Sequence, residues 1–288
     1  MRSLLFVPGD SEKKLAKSAD ADADVLIVDL EDSVAADRKA AARRIARAFL
    51  DARPKGPRLF VRINPLSTAL AIDDLAAIVA GAPDGVVLPK CSGAEDLRQL
   101  DHYLGALEAR EGLRPGRIEI LPIVTESARA IFGLGGYANV TPRLCAMMWG
   151  CEDLAADVGA VANRGPDRNY LAPFDLARSL CLFAAAAAGV IAVDTVHTDM
   201  RDLAQLERES RAAVEMGFFA KAAIHPAQVE VINRAFTPDE AAIAWARQIV
   251  TAFAATPGIG VVNIDGKMID KPHLRAAERI LARAGLAA

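Results

Sequence analysis

The feature that most constrains the fold of this chain is a unit that recurs eight times along it. Each unit has a short apolar run, a break with glycine, proline or a charged residue, and an amphipathic stretch rich in alanine, leucine and arginine. The apolar runs are LLFV (4–7), VLIVDL (25–30), RLFVRI (58–63), GVVLPK (85–90), IEILPIV (118–124), LCAMMWG (144–150), VIAVDTV (190–196) and GFFAKAAI (217–224). Such alternation predicts strand–helix units that build a parallel sheet.

Eight strands that are each followed by a helix predict an α/β fold of the TIM (β/α)8 barrel type, which needs about 250 residues. The chain has 288 residues. We therefore expect a catalytic barrel over residues 1–236 and a C-terminal helical extension over residues 237–288, with a loop around residues 257–270. The competing architecture is an open doubly wound sheet, but the sequence lacks GxGxxG, the phosphate fingerprint of its first strand.

The charge and cysteine content limit the kinds of partner. Lysine and arginine total 34 against 37 aspartate and glutamate, so no basic field is available for nucleic acid or anionic lipid. No uncharged apolar run approaches the length of about 20 residues that spans a bilayer, and the first apolar run is too short for a signal peptide. The four cysteines form no CxxC pair, which is typical of reduced core thiols. We expect a soluble, cytoplasmic protein that binds small molecules.

Polar residues follow nearly every predicted strand. They are Asp10, Asp29, Glu31, Asp32, Arg62, Asn64, Lys90, Glu126, Glu152, Asp153, Asp194 to His197 and Lys221 to His225. In a TIM barrel the carboxyl ends of the strands carry the active site. One charged residue at a strand end has an ordinary structural explanation, but the convergence of several predicts a catalytic centre.

Three of these residues suggest a specific chemistry. Glu126 and Asp153 follow neighbouring strands and offer oxygen ligands with no cysteine or histidine beside them, a set that suits Mg²⁺ completed by water and substrate oxygens. Arg62 is a permanent cation with a forked donor, suited to a substrate carboxylate or a developing oxyanion. The alternative for Glu126 is a place in the first turn of the next helix, where the helix dipole favours a carboxylate.

The segment VLIVDLED (25–32) delivers three carboxylates to the predicted mouth of the barrel. Asp29 and Glu31 alternate with a leucine and so point to one side, where they can accept hydrogen bonds from Arg62 or from metal-bound water. We expect Glu31 to position its neighbours or to handle a proton, and Asp32 to cap the following helix. Lys90 could form a Schiff base if burial lowered its pKa, but an ion pair with these acids is favoured because it keeps lysine protonated.

Nine segments in order along nearly the whole chain resemble one family. They are RSLLFVPGD (2–10), VDLEDSV (28–34), FVRIN (60–64), LPK (88–90), TESA (125–128), GCEDLAADVG (150–159), DTVHTD (194–199), KAAIHP (221–226) and GKMIDKPHL (266–274). This set resembles the citrate lyase β-subunit-like branch of the HpcH/HpaI aldolase family, which includes citryl-CoA, malyl-CoA and citramalyl-CoA lyases. The resemblance implies a TIM barrel, assembly into homotrimers or hexamers, and Mg²⁺ as cofactor.

The resemblance also implies roles for individual residues. It makes Glu126 and Asp153 the Mg²⁺ ligands and Arg62 the contact to a substrate oxygen, in agreement with the residue chemistry. The implied substrate-binding residues are Arg62, Glu126, Gly150, Cys151 and Glu152, the last three through their backbone. Asp270 would act as acid or base in a neighbouring subunit's active site, which makes the C-terminal extension an intersubunit lid. By sequence alone, Asp270 is instead a loop residue that caps the last helix.

The implied reaction is reversible cleavage of a 3-hydroxy-3-carboxyalkyl-CoA thioester to acetyl-CoA and a 2-oxo acid, with Arg62, Glu31 and Asp270 as the catalytic residues. Candidate cations near the rim for the CoA phosphates are Arg2, Lys14 and Lys17. Three alternatives remain open. The chain could be a citrate lyase β subunit that takes its thioester from an acyl carrier protein, a metal-dependent aldolase of free 2-oxo acids, or a noncatalytic metabolite-binding barrel.

Two departures from the family pattern leave the substrate undetermined. LPK is followed by Cys91-Ser92-Gly93, where many relatives carry Val-Glu, and DTVHTD has His197, where an aromatic or small residue is common. We expect His197 to be a hydrogen-bonded residue at a strand end and His225 to be structural.

Overall fold

A computed structural model, which describes residues 1–256 and 258–286, places eight parallel strands in one sheet. The strands are β1 (Ser3–Pro8), β2 (Val25–Asp29), β3 (Arg58–Arg62), β4 (Gly85–Leu88), β5 (Glu119–Pro122), β6 (Ala146–Met148), β7 (Ile191–Asp194) and β8 (Ala220–Ala223). Their order is β5-β4-β3-β2-β1-β8-β7-β6, and the parallel bridges Ile120–Leu144 and Ile123–Met148 join the two edges. The predicted TIM barrel and all eight predicted strands are therefore confirmed.

Helices follow the strands and cover the outside of the barrel. They are α1 (Glu12–Ala19), α2 (Lys39–Ala52), α3 (Leu70–Ile78), α4 (Ala94–Arg110), α5 (Ala128–Gly133), α6 (Glu152–Asp157), α7 (Ala172–Ala188), α8 (Leu203–Met216), α9 (Pro226–Phe236), α10 (Glu240–Ala254) and α11 (Lys271–Arg283). The prediction that Asp32 caps the helix after β2 is wrong. A 3₁₀ turn over Ala36–Arg38 precedes α2, and the exposed Asp32 carboxylate instead lies 3.4 Å from Lys90 Nζ.

Alternating residues of each strand build two apolar layers, because successive side chains point to opposite faces. Val25 and Ile27 belong to the cluster inside the barrel, whereas Leu26 and Val28 belong to the cluster between strands and helices. The Phe60 ring fills the interior so closely that a Cβ on Gly85 would lie 2.4 Å from it. Burial of both strand faces explains why VLIVD is apolar until its last residue.

The chain after α9 forms α10, a two-stranded antiparallel hairpin and α11. The hairpin strands are β9 (Val261–Ile264) and β10 (Lys267–Asp270), so the expectation of a loop is wrong over residues 261–270. Residues 258–260 are irregular, as expected, and Pro257 lies outside the described residues. Asp265-Gly266 forms the two-residue turn with positive φ at both positions, the type I′ geometry that Asp-Gly favours. These elements share an apolar cluster of their own, which includes Phe253, Ile269 and Leu281.

The C-terminal elements also touch the barrel. Arg283 donates a hydrogen bond of 2.7 Å to the Phe218 carbonyl, and its guanidinium lies 5.2 Å from the centre of the Phe219 ring. Across residues 1–256 and 258–286, the helices are all too short or too polar to cross a lipid bilayer.

Candidate active site

A cavity of about 290 Å³ opens at the carboxyl ends of the barrel strands. Its wall includes six residues that the sequence analysis assigned to the site: Arg62, Glu126, Gly150, Cys151, Glu152 and Asp153. The barrel brings them together because parallel strands end at the same edge of the sheet. The structure thus places the predicted metal ligands and the predicted arginine in one cavity.

Arg62 ends β3 and is held by two carboxylates, one at the end of β2 and one just after it. Its Nε and Nη2 each donate a 2.7 Å hydrogen bond to Asp29, and its Nη1 lies 3.0 Å from Glu31 Oε2. The guanidinium also lies 4.9 Å from the centre of the Phe6 ring. Burial lowers the pKa of Arg62, but Asp29 and Glu31 outweigh it and raise that pKa above its ordinary value. Arg62 is therefore a fixed, permanently charged group.

Lys90 links the predicted metal ligands to the acids of β2. Its backbone N–H donates to Glu126 Oε2, and its Nζ lies 2.6 Å from Glu31 Oε1 and 3.4 Å from Asp153 Oδ1. Burial lowers the pKa of Lys90, but Glu31 and the other carboxylates raise it overall. The expected ion pair is present, and a protonated ammonium argues against a Schiff base. The φ of Lys90 is +50°, a left-handed conformation that costs a non-glycine residue free energy and often marks a functional site.

Glu126 is buried but lines the cavity, and it does not cap the next helix. Ser127 is the cap of α5, since its side chain accepts from the Ala130 N–H. Burial, with the nearby charges of Glu31 and Asp153, raises the pKa of Glu126 to about 8, even though the Lys90 N–H and Arg62 act in the opposite direction. Burial is the largest cause of this shift, and a divalent cation at Glu126 would offset both the burial of its charge and the neighbouring negative charges.

The donor set fits Mg²⁺ rather than a cation held wholly by protein. Glu126 and Asp153 supply carboxylate oxygens to one cavity. Among the described residues, no three histidine, cysteine, aspartate or glutamate side chains form a preformed metal cage. Mg²⁺ commonly takes one or two carboxylates and completes its shell with water and substrate oxygens.

Because Gly150 has no side chain, it leaves room for the Glu126 side chain in the cavity wall. A Cβ at Gly150 would lie 3.1 Å from Glu126 Cγ, and the Gly150 N–H donates 2.9 Å to Thr125 Oγ1. The neighbouring Cys151 is also buried, and burial together with Glu152 raises the pKa of its thiol to about 12. Cys151 is therefore a neutral wall residue and not a nucleophile.

Glu31 contacts this centre without lining the cavity. It is 2% exposed and acts through Arg62 and Lys90. Burial raises the pKa of Glu31, although Arg62 and Lys90 favour its charged form. These contacts fit the first of the two roles expected for Glu31, that of a positioning residue, which stays a prediction.

Four further predicted residues do not line the cavity. Arg2 lies at the amino end of β1, the opposite end of the barrel, where it pairs with Asp24 at 2.8 Å. Its predicted place at the rim is therefore wrong. Lys14 and Lys17 lie on the exposed side of α1, which follows the carboxyl end of β1. Asp270 caps α11, as its local sequence predicts, and its Oδ1 lies 2.5 Å from His273 Nδ1.

A buried charge cluster lies at the end of β7, and the sequence analysis had placed two of its members, Asp194 and Lys221, at the mouth. Asp194 accepts from Trp149 Nε1 at 2.6 Å, from Arg178 Nε at 3.0 Å and from Lys221 Nζ at 2.8 Å. Lys221 Nζ also donates 2.8 Å to the Thr195 carbonyl. Because Thr195 lines the cavity, this cluster supports the cavity floor. Sequence alone gives no signal that separates a buried strand-end acid from a catalytic one.

His197 and His225, the two histidines at strand ends, form hydrogen bonds, as expected. His197 Nδ1 lies 3.2 Å from Glu209 Oε2, and Glu209 also pairs with Arg164 at 2.9 Å. His225 caps α9, since its Nδ1 accepts from the Ala227 N–H at 3.2 Å.

These buried carboxylates predict a loss of stability in acid. Burial raises the pKa of Asp194, but Lys221 and Arg178 outweigh it and lower that pKa to about 2; the pKa of Glu209 is likewise about 2, because His197 and Lys221 outweigh its burial. A lowered pKa of an acid stabilises the fold above the unfolded-state value of about 4. We expect the free energy of unfolding, measured by urea titration, to fall as the pH is lowered from about 4 to 2. A free energy of unfolding that stays constant over that pH interval would contradict the lowered pKa values of Asp194 and Glu209.

Two family models match the chain. One, described as HpcH/HpaI aldolase/citrate lyase, matches residues 2–226, and the other, described as a C-C bond lyase of the TIM-barrel fold, matches residues 174–287. Among curated proteins, (3S)-malyl-CoA thioesterase of Cereibacter sphaeroides is 36% identical, over 98% of this chain and 94% of the relative. Citrate lyase subunit beta of Escherichia coli is 34% identical, over 99% of this chain and 93% of the relative.

A solved structure is similar over the same length. The protein CitE from Mycobacterium tuberculosis, in complex with magnesium, acetoacetate and coenzyme A, has a TM-score of 0.78 and 36% identity. The similarity covers 99% of this chain and 98% of that chain. The resemblance seen in the nine sequence segments is confirmed by these matches.

Proposed function

Because the chain belongs to the HpcH/HpaI aldolase/citrate lyase family of carbon–carbon lyases, we propose that it cleaves a 3-hydroxy-3-carboxyalkyl-CoA thioester to acetyl-CoA and a 2-oxo acid. The observation that carries the proposal is the meeting of Arg62, Glu126 and Asp153 in one cavity. Two oxygen ligands beside a fixed guanidinium suit a substrate that carries a carboxylate and a neighbouring hydroxyl. The CoA complex of the related CitE supports a CoA thioester.

We propose that Glu126 and Asp153 hold Mg²⁺, with Gly150, Cys151 and Glu152 beside the substrate carboxylate. The burial of Glu126 beside the carboxylates of Glu31 and Asp153 and the magnesium complex of the related CitE support this assignment. When bound, Mg²⁺ supplies a Lewis acid that polarises the substrate oxygens. Lys90 holds Glu126 through its backbone N–H and faces Asp153 through its ammonium group, so it keeps both ligands on the same side of the cavity.

Arg62 acts on the substrate oxygen that changes charge. The guanidinium has five N–H donors. Two of them bind Asp29 and a third group faces Glu31, which leaves donors for one more oxygen. During cleavage the bond between C2 and C3 of the acyl chain breaks, and the C3 hydroxyl loses its proton and becomes the carbonyl of the 2-oxo acid. A donor that is already oriented stabilises that oxygen without reorganisation.

The second product needs a proton at carbon. The electron pair of the broken bond passes to C2, which takes up one proton to give the methyl group of acetyl-CoA. Asp270 is our proposed acid, supplied by a second copy of the chain, because it lies outside the cavity of its own chain. Residues 237–288 would then be a lid on the neighbour's barrel, separate from the catalytic barrel of residues 1–236.

Exposed apolar side chains support the assembly of several copies, as a homotrimer or hexamer. On the outer side of α7, Leu176 is 58% exposed and Phe183 is 66% exposed, and Phe132 of α5 is 92% exposed. On the hairpin, Met268 is 68% exposed. Such residues mark contact surfaces when they cluster, and the second copy is the occupant we propose.

Lys14 and Lys17 are our candidates for the CoA phosphates, and the cytoplasm is our proposed location.

Replacing Arg62 with lysine tests the oxyanion role. Lysine keeps the charge but loses the fork that binds Asp29 and stacks on Phe6, so we expect kcat/KM for thioester cleavage to fall by about 100-fold, mostly in kcat. The matched control is Arg58→Lys on the same strand, since Arg58 is exposed at the far end of β3 and stacks on Phe60. An equal loss in both variants, measured by steady-state kinetics, would contradict a role specific to Arg62.

Mixing two inactive variants tests Asp270 as a residue supplied in trans. We expect Asp270→Asn and Glu126→Gln each to lack cleavage activity, and an unfolded and refolded mixture to regain part of it. In mixed assemblies some cavities receive an intact Glu126 from one chain and an intact Asp270 from another. The matched control for Asp270→Asn is Asp265→Asn, the same substitution at the hairpin turn, which should retain cleavage activity. A mixture that stays inactive, while wild-type protein recovers from the same treatment, would exclude the proposed arrangement.

A panel of citramalyl-CoA, malyl-CoA and citryl-CoA tests the reaction itself, with Mg²⁺ or with EDTA. We expect metal-dependent release of acetyl-CoA and a 2-oxo acid. Release of free CoA and a 3-hydroxy acid would show hydrolysis of the thioester instead, the activity named for the Cereibacter relative. Failure with every CoA thioester would contradict the proposal. Cleavage of acyl-carrier thioesters or of free substrates would then distinguish a citrate lyase β subunit from a CoA-independent aldolase, and binding without cleavage would indicate a metabolite-binding barrel.

A further inference from the structure

Part of the cavity wall is apolar. Phe6, Ile123, Met148, Val196 and Ile224 line it, from the ends of β1, β5, β6, β7 and β8. Met148 is 2% exposed and Ile123 is 4% exposed, so their side chains are held by the barrel core. Apolar walls in a small cavity favour apolar substrate groups by removing them from water.

The charged part of the wall is strongly acidic. It contains Asp29, Asp32, Glu126, Glu152 and Asp153. Among the described residues, Arg62 is the only lysine, arginine or histidine in the wall. Asp29 and Glu31 already share this guanidinium, and the remaining donors are needed for the reacting oxygen. Lys90, behind the wall, is paired with Glu31, Asp32 and Asp153.

From these two features we infer that the cavity selects 2-oxo acids in which the group attached to the oxo carbon, opposite the carboxylate, is a short, uncharged alkyl group. The inference rests on the proposed function, which directs the carboxylate and neighbouring oxygen of the substrate to the metal ligands and Arg62. The preferred thioester then carries an alkyl group, a hydroxyl and a carboxylate on C3, as citramalyl-CoA does. Citryl-CoA, whose C3 substituent ends in a second free carboxylate, is disfavoured.

The physical reason is the cost of an unpaired charge. A second carboxylate would lose water and meet apolar side chains and the carboxylates of Asp32 and Glu152, which neither Arg62 nor the proposed metal neutralises, in place of a cation. An uncompensated buried charge typically costs enough to reduce affinity by about 100-fold or more. A methyl or ethyl group on the same carbon gains contact with the apolar wall instead, typically worth about tenfold for each group.

Calorimetric titration of the intact protein in Mg²⁺ tests the inference without any turnover. The probes are pyruvate, 2-oxobutyrate and freshly dissolved oxaloacetate; the last two differ by a carboxylate in place of a methyl group. We expect 2-oxobutyrate to bind at least about 100-fold more tightly than oxaloacetate. Equal or tighter binding of oxaloacetate, or no binding of any 2-oxo acid, would overturn the inference.

A variant in the wall provides the second measurement. Ile224 is 36% exposed at the end of β8, so the fold should accept a longer polar side chain there. Ile224→Lys adds a cation to the wall, and we expect it to narrow the ratio of the two dissociation constants by about tenfold. Ile224→Gln, similar in length but neutral, should leave the ratio closer to the wild-type value. An equal change in both variants would show that charge is not what the wall selects.

The thioester panel separates this inference from the proposed function. Cleavage of citryl-CoA with a kcat/KM equal to that of citramalyl-CoA would overturn the inference and leave the lyase activity intact. Absence of all cleavage, with the expected order of 2-oxo acid binding, would overturn the lyase proposal and support the selectivity of the cavity.

Discussion

Replacing Glu126 with glutamine is expected to lower kcat/KM for thioester cleavage by at least about 1,000-fold. The amide keeps the shape of the side chain but removes one of the two carboxylates proposed to hold Mg²⁺. A bound metal contributes several kcal/mol to the transition state, and each 1.36 kcal/mol is a factor of ten in rate. Steady-state kinetics at saturating and limiting Mg²⁺ measure the loss, and calorimetry measures the weaker binding of the metal.

The same substitution at the other end of β5 is the control. Glu119 begins the strand and pairs with Arg58 at the far end of the barrel, so Glu119→Gln should retain cleavage and Mg²⁺ binding. In EDTA, Glu126→Gln should unfold at the same temperature as the wild type or at a higher one, since it removes a buried carboxylate. Wild-type kinetics in Glu126→Gln would contradict the metal site. A lower unfolding temperature would show that the lost activity comes from the fold.

Replacing Lys221 with methionine is expected to lower the free energy of unfolding by about 3–5 kcal/mol. Lys221 is fully buried, and its Nζ donates to Asp194 and to the Thr195 carbonyl. Methionine fills a similar volume but leaves Asp194 with less compensation. Urea titration at neutral pH measures the change. Lys55→Met is the matched control; Lys55 is exposed in the loop before β3, and we expect a change within about 0.5 kcal/mol.

A double-mutant cycle identifies the source of the loss. Asp194→Asn removes the partner charge, so the double variant should lose less stability than the sum of the two single variants. The activity of Lys221→Met should also fall, through displacement of Thr195 in the cavity wall. Additive losses would show that Lys221 and Asp194 contribute independently, contrary to the buried pair.

The barrel and most of its centre could be predicted because both depend on local pattern and on strand direction. The eight apolar runs predict eight strands, and parallel strands bring Arg62, Glu126 and Asp153 to one edge whatever the side-chain details. Other features depend on which partner each side chain meets. The strand-end argument that places Asp153 in the cavity also predicts Asp194 and Lys221 there. Instead, these two residues pair with each other and do not line the cavity. Arg2 was misplaced because a cation before β1 lies at the amino end of that strand.

The strand count, the kind of chemistry and the residues at the strand ends follow from the amino-acid sequence alone, because strand period and side-chain chemistry are local properties. The Asp265-Gly266 turn signal of the C-terminal hairpin is local in the same way. The remaining features depend on tertiary contacts. These contacts pair some carboxylates with Arg62 and Lys90 and leave others in the cavity wall. They join Glu31 to both cations and place Phe6, Met148 and Ile224 beside the acidic groups. Charge balance and cavity shape arise from contacts between distant segments, and no local pattern encodes them.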